Sequence, residues 1–175
     1  AYLDNIKIDG NVAFENGDVS MNPALASDNA GRNFLWTNCC PTINVAQQPI
    51  ITNNHFYYTD NPENSLRGSL FLVSSTNDAV VTGNYLMRGE TLLGGTHNNL
   101  NFSGNTIWGP MQTTLPGNTY LTAPPATNAI FLQKNQYNPD RAFIIVYNWQ
   151  AKSTVSVDIS SLGWQAGQTY ELRNV

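Results

Sequence analysis

One six-residue string recurs along the first two thirds of this chain, and it limits what the chain can fold into. VTGNYL (81–86), FSGNTI (102–107), ITNNHF (51–56) and IDGNVA (8–13) share one form. Each sets an apolar residue, two small or polar residues, an asparagine, a variable residue and a second apolar residue. The asparagines are Asn11, Asn54, Asn84 and Asn105, and a weaker copy, AGRNFL, places Asn33 in the same slot. Successive separations are 22, 21, 30 and 21 residues. Repeats of roughly two dozen residues made of short strands and tight turns stack into β-solenoids.

Ile8, Ile51, Val81 and Phe102 precede the asparagine by three positions, and Ala13, Leu35, Phe56, Leu86 and Ile107 follow it by two. Strand side chains alternate across a sheet, so these apolar residues face inward with the asparagine. The intervening residues, Val12, Phe34, His55, Tyr85 and Thr106, then face outward. Coils stack at about 4.8 Å. At that spacing each asparagine amide can donate to the amide oxygen above it and accept from the one below. Asparagine also favours turns for its own sake, but a turn preference does not place apolar residues at the same two offsets.

On these motifs the chain resembles the right-handed parallel β-helix proteins, the fold of pectate lyases, polygalacturonases and many phage tailspikes. The resemblance covers residues 3 to about 110 and implies an all-β chain with about five coils. It implies little about activity, because coil patterning encodes stacking.

Charged residues make up 11% of the chain, and asparagine, threonine, serine and glycine supply most of its polarity, which suits β-structure with uncharged walls. Net charge is −4, and the eight basic residues are scattered without interleaved aromatics, so nucleic acid is not an expected partner. No apolar run reaches the roughly 20 residues needed for a membrane span. Cys39 and Cys40 are adjacent and precede Pro41. They read either as a vicinal disulfide in a rigid turn or as two reduced, half-buried thiols. Zinc lacks further Cys or His ligands.

After Trp108 the repeat stops. The expected organisation is β-helix coils over residues 1–110, a proline-rich linker over 111–128, and a C-terminal β module over 129–175. That module shows four strand-like runs, 129–133, 141–149, 153–160 and 168–175. The second is almost entirely apolar, as in a central strand covered on both faces. In the third, Val155, Val157 and Ile159 alternate with polar residues. The module is similar to the small antiparallel β-sandwich that follows the catalytic region in many carbohydrate-active enzymes. Both ends of the sequence look cut, so the reading is of a C-terminal portion of a longer chain.

Residues that would carry chemistry are sparse. The resemblance to polygalacturonases would imply paired aspartates and a Gly-His-Gly element, since inversion needs an acid and a base across the bond, and neither string occurs. The resemblance to pectate lyases would imply clustered acids holding calcium, whereas the acids here are dispersed; no cofactor is identified and calcium is unsupported. One excursion stands out, because the Asn54–Asn84 separation exceeds its neighbours by nine residues, placed at 57–69. Loops leaving a rigid solenoid gather function. This one carries Tyr57, Tyr58, Asp60, Glu63 and Arg67, after outward His55, with Arg88, Glu90 and His97 on the next coil. Arg67 and Arg88 can hold an acidic sugar with His55 or His97 as proton carrier; the same residues read equally as an ordinary solvated loop. Tyr57, Tyr58, Tyr85 and Phe34 are candidate sugar-stacking platforms, and Trp108 reads rather as core.

The expected function is polysaccharide binding, and cleavage in a full-length form, by a secreted or cell-surface β-helix protein, with any lyase or hydrolase residues partly or wholly upstream. The alternative is a non-catalytic fibre, adhesin or tailspike segment. Oligomeric state and substrate are not legible.

Overall fold

The computed structural model describes residues 4–14, 35–36, 45–57, 68–72, 75–111, 113–165 and 167–173. The chain divides into two compact units, Ala1–Ala123 and Pro124–Val175.

In the first unit each circuit of the chain lays down four short strands. The first circuit gives β1 (Lys7–Asp9), β2 (Val12–Phe14), β3 (Leu35–Trp36) and β4 (Ala46–Gln47). The second gives β5 (Ile50–Thr52), β6 (His55–Tyr57), β7 (Gly68–Leu72) and β8 (Thr76–Asn77). The third gives β9 (Val80–Thr82), β10 (Tyr85–Met87), β11 (Glu90–Leu93) and β12 (His97–Asn98). β13 (Asn101–Ser103), β14 (Thr106–Trp108) and β15 (Thr119–Leu121) follow. Strands pair with their counterparts one circuit away, giving four parallel sheets ordered β1-β5-β9-β13, β15-β14-β10-β6-β2, β11-β7-β3 and β12-β8-β4. This all-β arrangement of parallel sheets with stacked asparagines fits a β-solenoid.

Register follows the repeat. Ile8, Ile51, Val81 and Phe102 align in one column, and Ala13, Phe56, Leu86, Ile107 and Tyr120 in another. The two columns meet in the interior, where Ile51, Phe56, Val81, Leu86 and Ile107 are at most 1% exposed. Leu70 and Ala46 close the interior from the other two sheets. Parallel sheets buried on their inner face draw their stability from such apolar columns.

At the corner between the first two sheets runs the asparagine ladder. Asn11 Nδ2 donates to Asn54 Oδ1 at 3.0 Å, Asn54 Nδ2 to Asn84 Oδ1 at 2.9 Å, and Asn84 Nδ2 to Asn105 Oδ1 at 2.9 Å. Asn105 Nδ2 donates to Asn118 Oδ1 at 2.9 Å. Each rung's backbone N–H donates to the same oxygen, and the second amide hydrogen of Asn84 goes back to the Ile51 carbonyl. One side chain therefore ties three consecutive circuits, which satisfies amides that are otherwise buried without water. The residue before each rung is left-handed: Gly10, Asn53, Gly83, Gly104 and Gly117 have φ of 66, 55, 67, 66 and 78°. Glycine and asparagine are the residues that tolerate this region, which is why the motif reads G/N-N.

One expectation falls outside the described residues and one needs correction here. Asn33 lies outside the described residues, and the direct Asn11–Asn54 bonds leave no rung between them. The fifth rung is Asn118, in PGNTYL, so the segment read as a linker from residue 111 instead carries the ladder and β15 onward to the unit boundary.

The second unit contains an antiparallel pair, β16 (Ala129–Lys134) and β17 (Ala142–Tyr147), and a 3₁₀ turn at Ser160–Leu162. On one face of the ribbon Ile145 and Tyr147 are buried, Phe131 meets Tyr147 edge-on at 6.1 Å, and Trp149 stacks on Tyr147 at 5.7 Å. The expected third and fourth strands are not formed among the described residues, although Val155, Val157 and Ile159 keep their alternation as half-buried positions. Nor is β17 covered on both faces: Val146, on the face opposite Ile145 and Tyr147, is exposed, as is its partner Ile130. With one neighbouring strand, a ribbon buries only one side.

Candidate functional site

Outward positions of the five-stranded sheet form two further columns. Val12, His55, Tyr85, Thr106 and Thr119 align in the first, and Phe14, Tyr57, Met87, Trp108 and Leu121 in the second. Because Phe56, Leu86 and Ile107 lie in the interior, their neighbours along each strand must face away from it. The result is a strip rich in aromatic side chains along the stacking direction. Val12 and Phe14 at one margin are 41% and 57% exposed, Tyr57, Tyr85 and Trp108 are half-buried, and His55 and Met87 in the middle are buried. Trp108 belongs to this outer strip and not to the core, since Ile107 beside it takes the inward place.

His55 faces outward as the alternation requires, yet it is only 4% exposed. Its ring lies 6.0 Å from that of Tyr85, tilted by 43°. Burial pushes its pKa down to about 4. At neutral pH it is an uncharged ring poorly matched to carrying protons near pH 7.

The structure does not bring His97 to the same place. His97 follows Ala46 and Thr76 in the β12-β8-β4 sheet, a column that begins in the interior cluster. Its Nδ1 lies 2.9 Å from Thr76 Oγ1, and burial lowers its pKa, opposed by the Gly94 carbonyl. Two histidines on different sheets, one turned outward and one aligned with core residues, do not form a single acid–base set. Arg88 is exposed, left-handed at φ 69°, and sits just past Met87, with Glu90 opening β11. Tyr58, Arg67, Cys39 and Cys40 lie outside the described residues. Among the described residues no group of three or more His, Cys, Asp or Glu could hold a metal ion, and no helix is long and apolar enough to cross a membrane.

The excursion expected near residues 57–69 falls at the corner leaving this strip. β10 and β11 are joined by Arg88 and Gly89 alone, whereas residues 58–67 separate β6 from β7. That accounts for eight of the nine surplus residues, and Ser69, skipped where Glu90 pairs with Gly68 and Thr91 with Leu70, is the ninth. The same corner in the first circuit spans residues 15–34. Sequence reasoning found the second-circuit excursion through its rung spacing; the first-circuit one was hidden because Asn33 was counted as a rung.

A titration follows from His55. Its folded pKa is depressed below the ordinary value of 6.5, so the unfolded chain binds more protons between pH 6.5 and 4. Stability should therefore be full above pH 6.5 and fall as pH drops toward 4, by on the order of 2 kcal/mol for this group. The lowered pKa of His97 acts in the same direction. Urea midpoints measured from pH 7.5 to 4 should slope downward, and H55F should flatten the slope. An unchanged slope in H55F would show that His55 is not buried as described.

Comparison with known proteins returns no match: no family model fits the chain, and no curated protein or solved structure is similar to it.

Proposed function

We propose that this chain is part of a secreted, right-handed parallel β-helix protein of the pectate lyase-like type, whose β15-β14-β10-β6-β2 sheet binds a polysaccharide along its outer face. The observation that carries the reading is the outward column Phe14–Tyr57–Met87–Trp108, aligned strand on strand and accessible at Phe14. Aromatic rings present flat apolar faces that match the C–H faces of sugar rings. Successive strands of about 4.8 Å spacing offer a contact at intervals near the length of one sugar ring. An extended polymer suits such a wall better than a small ligand, which needs a concave pocket.

The proposal is one of binding. Among the described residues no register column stacks one carboxylate on another, so the wall itself offers no paired acid and base for glycosidic cleavage.

Affinity electrophoresis of the intact chain through gels containing soluble plant and algal polysaccharides tests the reading. At least one polymer should retard it, and W108A should weaken that retardation about ten-fold or more while circular dichroism stays unchanged. Migration unaffected by every polymer would sink the proposal. The exposed pair Val12 and Phe14 also favours a second reading, a structural fibre segment that covers this face by self-association. A stable trimer in light scattering that F14S dissociates would select it.

A further inference from the structure

The strip is defined as much by what it lacks as by its aromatics. Neither outward column contains an aspartate, glutamate, lysine or arginine. Its histidine is buried and uncharged at neutral pH. The charged residues described in this unit stand elsewhere. Lys7 Nζ and Asp9 Oδ2 pair with each other at 2.8 Å on β1, and Asp78 occupies a left-handed turn before β9, where its Oδ1 accepts from Asn99 Nδ2 at 2.7 Å. Arg88 and Glu90, opposite in sign, lie beyond the strip's edge. The two segments that lead away from that edge, 15–34 and 58–67, carry five acidic residues (Glu15, Asp18, Asp28, Asp60 and Glu63) against two arginines.

We propose that this wall selects uncharged glycans, polymers of neutral hexoses or pentoses, over uronate and sulfated polymers. The proposal rests on the glycan-binding reading above. Laying a carboxylate or sulfate against rings and methyl groups strips its water and returns no counter-charge, a cost that neutral hydroxyl groups escape because threonine and tyrosine hydroxyls can bond them. A net charge of −4 also repels a polyanion as it approaches.

Isothermal titration of the intact chain decides it, with xylo-, cello- and manno-oligosaccharides as one arm and oligogalacturonates, oligoguluronates and sulfated galactans as the other, each at low and physiological salt. At least one neutral series should bind, and every anionic series should bind at least ten-fold more weakly at both salts. Thr119 is exposed in the first outward column; T119K should bring anionic oligosaccharides within a few-fold of the neutral ones, with affinity that falls as salt rises. Its melting temperature should match the parent. Anionic oligomers binding the parent chain as tightly as neutral ones would overturn the selectivity while leaving the glycan wall intact. A T119K variant that melts like the parent and gains no anionic affinity would also overturn it, because charge would then not govern choice at this face. Binding of neither arm would remove the wall itself, and the selectivity with it.

Discussion

Replacing Asn84 with alanine should destabilise the first unit by about 3–5 kcal/mol, among the largest effects of any single side chain here. Asn84 is 1% exposed, and its Oδ1 accepts from both the backbone N–H and the Nδ2 of Asn54. Its Nδ2 donates to Asn105 Oδ1 and to the Ile51 carbonyl. Truncation leaves the Asn54 backbone N–H and one Asn54 Nδ2 hydrogen without their acceptor in a dry corner, at about 1–3 kcal/mol for each buried unsatisfied group, partly relieved by relaxation. Asn11, the first described rung, is exposed, and Asn54 Oδ1 keeps the Asn11 backbone donor when the side chain is removed. N11A should therefore cost only about 1 kcal/mol. Urea midpoints of the two variants give the comparison; equal shifts would mean that the ladder does not carry the corner.

The second large effect is expected at Gly109. Its φ is 152°, and a Cβ there would collide with the Gly89 carbonyl oxygen and stand 3.3 Å from the Arg88 carbonyl carbon. Both obstacles are backbone, so neither can swing aside. G109A should cost about 2–4 kcal/mol, combining an unfavourable backbone region with displacement of the Arg88–Gly89 corner. Gly83 makes the control. It is left-handed too, but its added Cβ would meet the Oδ1 of Asn53 at 2.7 Å, the far end of a side chain rather than backbone. G83A should lose about 1 kcal/mol. Thermal melts of the two variants should separate by several degrees, and a G109A protein as stable as G83A would show that the two corners are not stacked as described.

Much of the first unit was legible because stacking writes itself into the sequence twice, once as apolar columns and once as the turn residue before each asparagine. The inward columns through Ile51 and Val81 and through Phe56 and Leu86 follow directly from the repeat. Letters alone missed Asn118. A left-handed residue precedes every described rung; Gly117 supplies it for Asn118, where Pro116 disguised the copy. The candidate strip was half legible. Alternation told which way His55 points; it could not tell whether that side of the sheet is wet, since burial of an outward face depends on what lies over it. In the second unit the alternation of Val155, Val157 and Ile159 marks an inward side but names no partner strand. A single run of residues carries no record of which neighbour it pairs with.

The unequal circuits bear on the order in which the molecule assembles. Contacts between the second and third rungs close 30 residues and those between the third and fourth close 21, but joining Asn11 to Asn54 closes 43. Closure entropy rises by about 0.6 kcal/mol per doubling of length, roughly a three-fold handicap in rate for the first circuit. Stacking should therefore nucleate where closures are shortest, at the 21- and 13-residue steps from Asn84 to Asn118, and spread backward. Within this chain the first-made circuit would be the last to find its place, held open until later-made strands present the edge on which it settles.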